Sequence, residues 1–291
     1  MNLRIHTTRI RLLGLAAAAM LGMTTSQALE LNKGDHVVLI GNALAERMQH
    51  HGWLESYAQA AMPDKELVFR NHGFGGDKVN NRPRNSGFPS ADAYLEISKA
   101  DVILAFWGYN ESFDNSPDAY RADLTKWIDE TNGKKYNDKG APTIVLFSPI
   151  AHENLGQANL PDGSANNERL AKYAEVTRQV ANEKGVEFVD LFDLSQDLNE
   201  RSKLPLTING IHLTSKGNNQ LARGIHKSLF GKSPRASGRK LARIRDAVLD
   251  KNWHWYNRYR ATDGNDVWGG RSGLRFVAGQ TNREVLQQEL K

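Results

Sequence analysis

Val37-Val38-Leu39-Ile40-Gly41-Asn42-Ala43-Leu44 is the stretch on which the reading of this 291-residue chain turns. Four aliphatic residues in a row, then Gly-Asn, then a new apolar position, form the pattern of a buried strand that ends in a tight turn and enters a helix. In open α/β sheets the chemistry gathers at such turns, at the carboxyl ends of parallel strands.

Outward from that turn, the pattern repeats. Residues 44–61 read as a helix, with Leu44, Met48, Leu54 and Tyr57 near helical spacing and Met62-Pro63-Asp64 ending it. Residues 67–69 are a second short strand, running into Asn71-His72-Gly73-Phe74-Gly75-Gly76-Asp77. That glycine-rich loop lacks both the Gly-Lys-Ser/Thr and the Gly-x-Gly-x-x-Gly spacing of phosphate-binding loops. Strands follow at 101–106, 143–147 and 186–189, with helices at 91–98, 118–131, 168–184 and 215–229 and a polar loop over 154–167. Strands joined by connections of crossover length predict an α/β fold: a five-stranded parallel sheet covered on both faces. The strand ends then gather Asn42, the loop 73–77, Asn110-Glu111-Ser112 and the stretch from Ser148 to His152-Glu153 on one edge.

Composition narrows the classes. The chain has no cysteine, which excludes disulfides, thiolate metal sites, iron–sulfur clusters and c-type haem. No His-x-x-x-His or similar ligand spacing stands out, so no metal and no cofactor are expected. Arg4, Arg9 and Arg11, an uncharged run over 12–23 and Ser26-Gln27-Ala28 read as a secretory signal peptide, residues 1–28, cleaved after Ala28. Twelve residues are too few to span a bilayer, which takes about 20. The expectation is an exported protein, periplasmic or extracellular, without a stable membrane span. The net charge of +5 lies partly in that leader and partly in 227–245. In an exported protein the latter is a solvated helix face, and nucleic acid is not an expected partner.

Four blocks together, Gly41-Asn42-Ala43-Leu44, Gly76, Asn110 and Asn209-Gly210-Ile211-His212, resemble the SGNH/GDSL hydrolase superfamily over residues 34–230. The resemblance implies a three-layer, flavodoxin-like sheet of order 2-1-3-4-5, an ester as substrate class, Gly76 and Asn110 as oxyanion donors and His212 as base. The chain departs from the pattern twice. Ala43 stands where the family has its serine, and Asn209 where it has the triad aspartate. Loss of the nucleophile costs about 10⁶ in rate in serine hydrolases, and loss of the aspartate about 10⁴. Accessory groups at the strand ends are Asn42, Asp77, Glu111, Ser148, His152 and Glu153, with Ser112 a second displaced hydroxyl. Each carboxylate has a catalytic reading, activation of water together with His212, and a structural one, capping a loop or pairing with Arg82 or Arg84. Two functions follow. One is an exported hydrolase of esters such as O-acetylated saccharides, working by a modified mechanism. The other is an inactive module that binds a glycan or a partner protein. Both take a small-molecule or saccharide ligand, and the sequence leaves the oligomeric state open.

The hydrolase-like part is expected over 29–232 and a helical, aromatic-rich extension over 233–291. Within the extension, 236–251 is an amphipathic helix with Leu241, Ile244, Val248 and Leu249 along one face. It precedes Trp253-His254-Trp255-Tyr256-Asn257-Arg258-Tyr259-Arg260, expected to fold back beside the pocket mouth, either packed or as a sugar-stacking platform.

Overall fold

A computed structural model describes residues 28–84, 88–259 and 269–289. The expected signal peptide, residues 1–28, therefore lies outside the described residues apart from Ala28, as does Arg260.

The sheet is five-stranded, all parallel, in the order β2-β1-β3-β4-β5. The strands are β1 His36–Gly41, β2 Val68–Asn71, β3 Val102–Phe106, β4 Thr143–Phe147 and β5 Glu187–Val189. Alternation along each strand divides the core in two. Val37, Leu39, Leu104, Phe106, Val145 and Phe147 face one side, where they meet helices α1 Ala43–His51, α2 Trp53–Ala61 and α7 Ser215–Phe230. Val38, Ile40, Ile103, Ala105, Ile144 and Leu146 face the other, covered by α3 Ala91–Ile97, α4 Pro117–Asn132 and α5 Ser164–Lys184. Burial on both faces is why the strands read as unbroken apolar runs rather than alternating ones.

Several element boundaries differ from the sequence reading, each for a local reason. The helix expected over 44–61 is two helices, because Gly52 between them is left-handed at φ 66°. A β-carbon at Gly52 would come within 3.2 Å of Val248 and Leu249, so the break is also where a later helix crosses. The polar loop after β4 is shorter than expected, since α5 starts at Ser164. Helix α6, Leu191–Arg201, was not foreseen; it is capped by Asp190, whose side chain accepts from the Asp193 N–H.

The extension is one helix, α8 Gly238–Tyr259, longer than the amphipathic segment alone. Its buried positions are Leu241, Val248, Asn252, Trp255 and Tyr259, a stripe of helical spacing that runs through the aromatic segment instead of stopping before it. It packs on α1, α2 and β2. Trp255 Nε1 donates to the Asn71 carbonyl at 2.7 Å and the Tyr259 hydroxyl to the His72 carbonyl at 2.9 Å. The His72 ring stacks on Trp255 and Tyr259, at centroid distances of 5.5 and 5.1 Å. Docking against the sheet edge is thus observed, with Trp253 left 62% exposed. No α8 residue lines the cavity described below, so the run packs behind the β2 loop rather than at a pocket mouth. A short antiparallel pair, β6 Arg275–Val277 and β7 Gln280–Thr281, and α9 Asn282–Glu289 complete the described chain. No helix among the described residues is long and apolar enough to cross a membrane.

Candidate functional site

The site is built on the turn that opened the sequence. Gly41 ends β1 in register with Phe106 of β3, at φ 130°, and any β-carbon there would collide with the Phe106 carbonyl. Only glycine lets the strands approach this closely where the chain leaves the sheet. Asn42 then caps α1, its Oδ1 accepting from the Leu44 N–H at 3.2 Å. The glycine-rich loop joins this turn through Phe74, whose N–H donates to the Gly41 carbonyl at 2.9 Å.

A cavity of about 250 Å³ opens over the carboxyl ends of β1, β3 and β4. Its polar wall is Asn42, Arg47, Asn110, Ser148, His212 and Asn218, and Ala43 lies among them. The apolar wall includes Phe106, Trp107, Ile150, Ile211 and Leu213, with Tyr109 beside them. Three separate blocks, those of Ala43, Asn110 and His212, are therefore brought to one cavity. Gly76 is not: it sits in the neighbouring loop, exposed, at φ 92°, outside the cavity lining. Asn110 reaches towards that loop, its Nδ2 donating to the Asp77 carbonyl at 2.9 Å.

His212 stands directly before the bridge between Thr207 and Leu213 that closes its loop. Its Nδ1 lies 3.0 Å from Asn209 Nδ2 and 3.1 Å from Asn209 Oδ1, while Oδ1 also accepts the His212 N–H at 3.0 Å. Burial, and then the nearby charge of Arg47, push the His212 pKa below its ordinary value, which favours the neutral imidazole.

The accessory groups are engaged elsewhere. Asp77 forms a two-bond ion pair with Arg84, at 3.0 and 2.9 Å. Glu111 accepts from the Val79 N–H at 2.8 Å and the Gly108 N–H at 2.9 Å; burial raises its pKa against the opposing pull of those bonds. Glu153 accepts from Leu206 N, Thr207 N and the Thr207 hydroxyl, fixing the base of the His212 loop. His152 Nδ1 pairs with Asn166 Nδ2 at 2.8 Å, and its ring is wedged against Gly210 and Gly163. Ser148 Oγ accepts from the N–H groups of Leu191 and Phe192 and donates to Asp190. Ser112 Oγ donates to the Tyr109 carbonyl and accepts from Arg169 Nε. Among the described residues no group of three or more histidines and acids is placed to hold a metal ion.

Sequence reasoning passed over Arg47, Tyr109, Ile211 and Asn218. Arg47 had a legible signal: it follows Ala43 by four positions, so both lie on one helix face. Long helical side chains also lean back towards the N-terminus, here towards Ala43.

The model of the GDSL-like lipase/acylhydrolase family matches residues 40–220. No curated protein matches the chain. Among solved structures, a catalytic mutant of Axe2, an acetylxylan esterase from Geobacillus stearothermophilus, superimposes with a TM-score of 0.56 at 18% identity, covering 72% of this chain and 100% of that one. A gut microbial diltiazem-metabolizing enzyme gives 0.54 at 18% identity, over 69% of this chain and 48% of its own. An α/β hydrolase from the metagenome of Lake Arreo, Spain, gives 0.53 at 18% identity, over 68% and 96%.

Proposed function

Because the chain belongs to the GDSL-like lipase/acylhydrolase family and yet carries Ala43 at the turn where that family has its serine, we propose that it is a ligand-binding module of esterase type. It holds a small or saccharide ligand in the family pocket and forms no acyl-enzyme. One observation carries this reading: Ala43 lines the cavity, and every serine hydroxyl and carboxylate offered by the strand ends is bonded into the scaffold. A methyl group cannot attack a carbonyl, and a hydroxyl that already accepts two backbone N–H groups is a weakened nucleophile. Tyr109 also reaches the cavity, but burial raises its pKa, which keeps its phenol protonated.

His212 favours a second reading. Its ring lines the cavity and its Nδ1 is held by Asn209, so Nε2 is the atom left to activate a water directly on a bound ester. Turnover separates the two. The purified protein and His212→Ala are assayed on p-nitrophenyl acetate and on acetylated xylo-oligosaccharides, the latter prompted by the acetylxylan esterase likeness. Equal background rates together with saturable quenching of the intrinsic tryptophan fluorescence support the binding module. A wild-type rate clearly above that of His212→Ala supports hydrolysis. We also propose export, from the leader over 1–28.

A further inference from the structure

Arg47 occupies a position in the cavity that the reading above does not use. Arg47 lines the cavity, its Nε is buried without a hydrogen-bond partner, and among the described residues no carboxylate pairs with it. Other arginines of the chain are engaged: Arg84 with Asp77, Arg121 with Glu183, Arg245 with the His51 carbonyl. No aspartate or glutamate lines the cavity. Glu46, the adjacent acid on α1, accepts from the Gly75 N–H at 2.6 Å, outside the cavity wall. A cation set without a partner in a wall otherwise rich in aromatic and aliphatic surface is costly unless a ligand completes it.

We propose that the cavity binds the carboxylate of a small organic acid, with Arg47 as its counter-ion and the apolar wall holding the acid's carbon chain. The other polar groups fit that chemistry. Asn42 uses its Oδ1 on Leu44, which orients its Nδ2 as a donor. Asn110 and His212 stand on the same wall, and an Nε2-protonated His212 accepts from Asn209 Nδ2 and donates into the cavity. The absent hydroxyl at Ala43 leaves room for a carboxylate oxygen, where a serine would crowd it. Phe106, Ile150 and Leu213 would line the chain. The ligand is thus the acid half of an ester rather than the ester. The inference rests on the binding reading, since an active hydrolase would not retain the acid.

The test titrates hexanoate and its neutral counterpart hexanamide into the full chain, read by intrinsic tryptophan fluorescence and by calorimetry. Charge-assisted bonding predicts hexanoate binding at least about tenfold tighter than hexanamide. Arg47→Gln should erase that preference, and Arg47→Lys should restore part of it as a point charge. Equal binding of acid and amide by the wild type overturns the proposal while leaving the pocket a binding site. No binding of either also overturns the proposal, while the binding reading falls only if the acetylated xylo-oligosaccharides fail to bind as well. If Arg47→Gln fails to fold, the acid-to-amide ratio on the wild type still decides.

Discussion

Asn209 meets Nδ1 of His212 with both of its polar atoms, Nδ2 at 3.0 Å and Oδ1 at 3.1 Å. A carboxylate at that place only accepts, so it fixes the proton on Nδ1 and leaves Nε2 as a base. The amide accommodates either tautomer, donating to Nδ1 or accepting from it. The ring is still oriented, but its role as a base is no longer enforced.

That relationship predicts the outcome of restoring the missing groups. Ala43→Ser with Asn209→Asp should hydrolyse p-nitrophenyl acetate, and Ala43→Ser alone should be slower by up to about 10⁴. Initial rates of the two variants decide it. A folded, open double variant with no activity would mean that Asn110 and the Ala43 backbone are not aimed at a developing oxyanion.

His72 makes stability depend on pH. Burial, and then the charges of Arg84 and Arg70, push its pKa from 6.5 down to about 3. The unfolded chain therefore takes up a proton between those values that the folded chain refuses. Stability from this group is complete above pH 6.5 and falls as pH drops towards 3, by up to about 1.4 kcal/mol per pH unit. Urea denaturation at pH 7, 5.5 and 4.5 should give a shallower loss in His72→Gln; identical slopes would remove His72 as the cause.

Trp255 should be a keystone of the extension. It is 7% exposed, donates to Asn71 and stacks on His72. Trp255→Ala should cost about 3–5 kcal/mol, measured by chemical denaturation, whereas Trp253→Ala, at 62% exposure, should stay within about 0.5 kcal/mol. Equal effects would mean that α8 is not docked in solution.

Glu153 should act through the loop that carries His212. Its carboxylate receives the N–H groups of Leu206 and Thr207 and the Thr207 hydroxyl, at 2.6–3.1 Å. Glu153→Gln replaces one acceptor oxygen with a donor facing donors, and should lower stability by about 1.5–3 kcal/mol. An unchanged melting temperature would contradict the clamp.

Export has its own check. N-terminal sequencing of protein recovered from an expressing bacterium should begin at Leu29; a mature chain that retains Arg4 to Arg11 would rule out cleavage after Ala28.

How much of this was legible depended on how local the cause was. Val37 to Ile40, Ile103 to Phe106 and Ile144 to Phe147 declare buried parallel strands because each residue in them meets a covered face. The chemistry that Ala43 removes is equally local, since no fold returns a hydroxyl to a methyl group. The sequence alone therefore determined the sheet, the family turn and the missing nucleophile. Tertiary structure decided what the remaining polar groups do. Asp77 faces Arg84, one of the two pairings the sequence offered, but the structure alone chose it over water activation. Glu111 reaches the distant Val79 N–H and Ser148 receives the Leu191 and Phe192 N–H groups of α6, partners that spacing along the chain does not point to. The same holds for the break at Gly52, set by a helix nearly two hundred residues later. It holds for Arg47 too: helical periodicity puts it beside Ala43, but only the packing of β3, β4 and the His212 loop around the cavity leaves it there without an acidic partner.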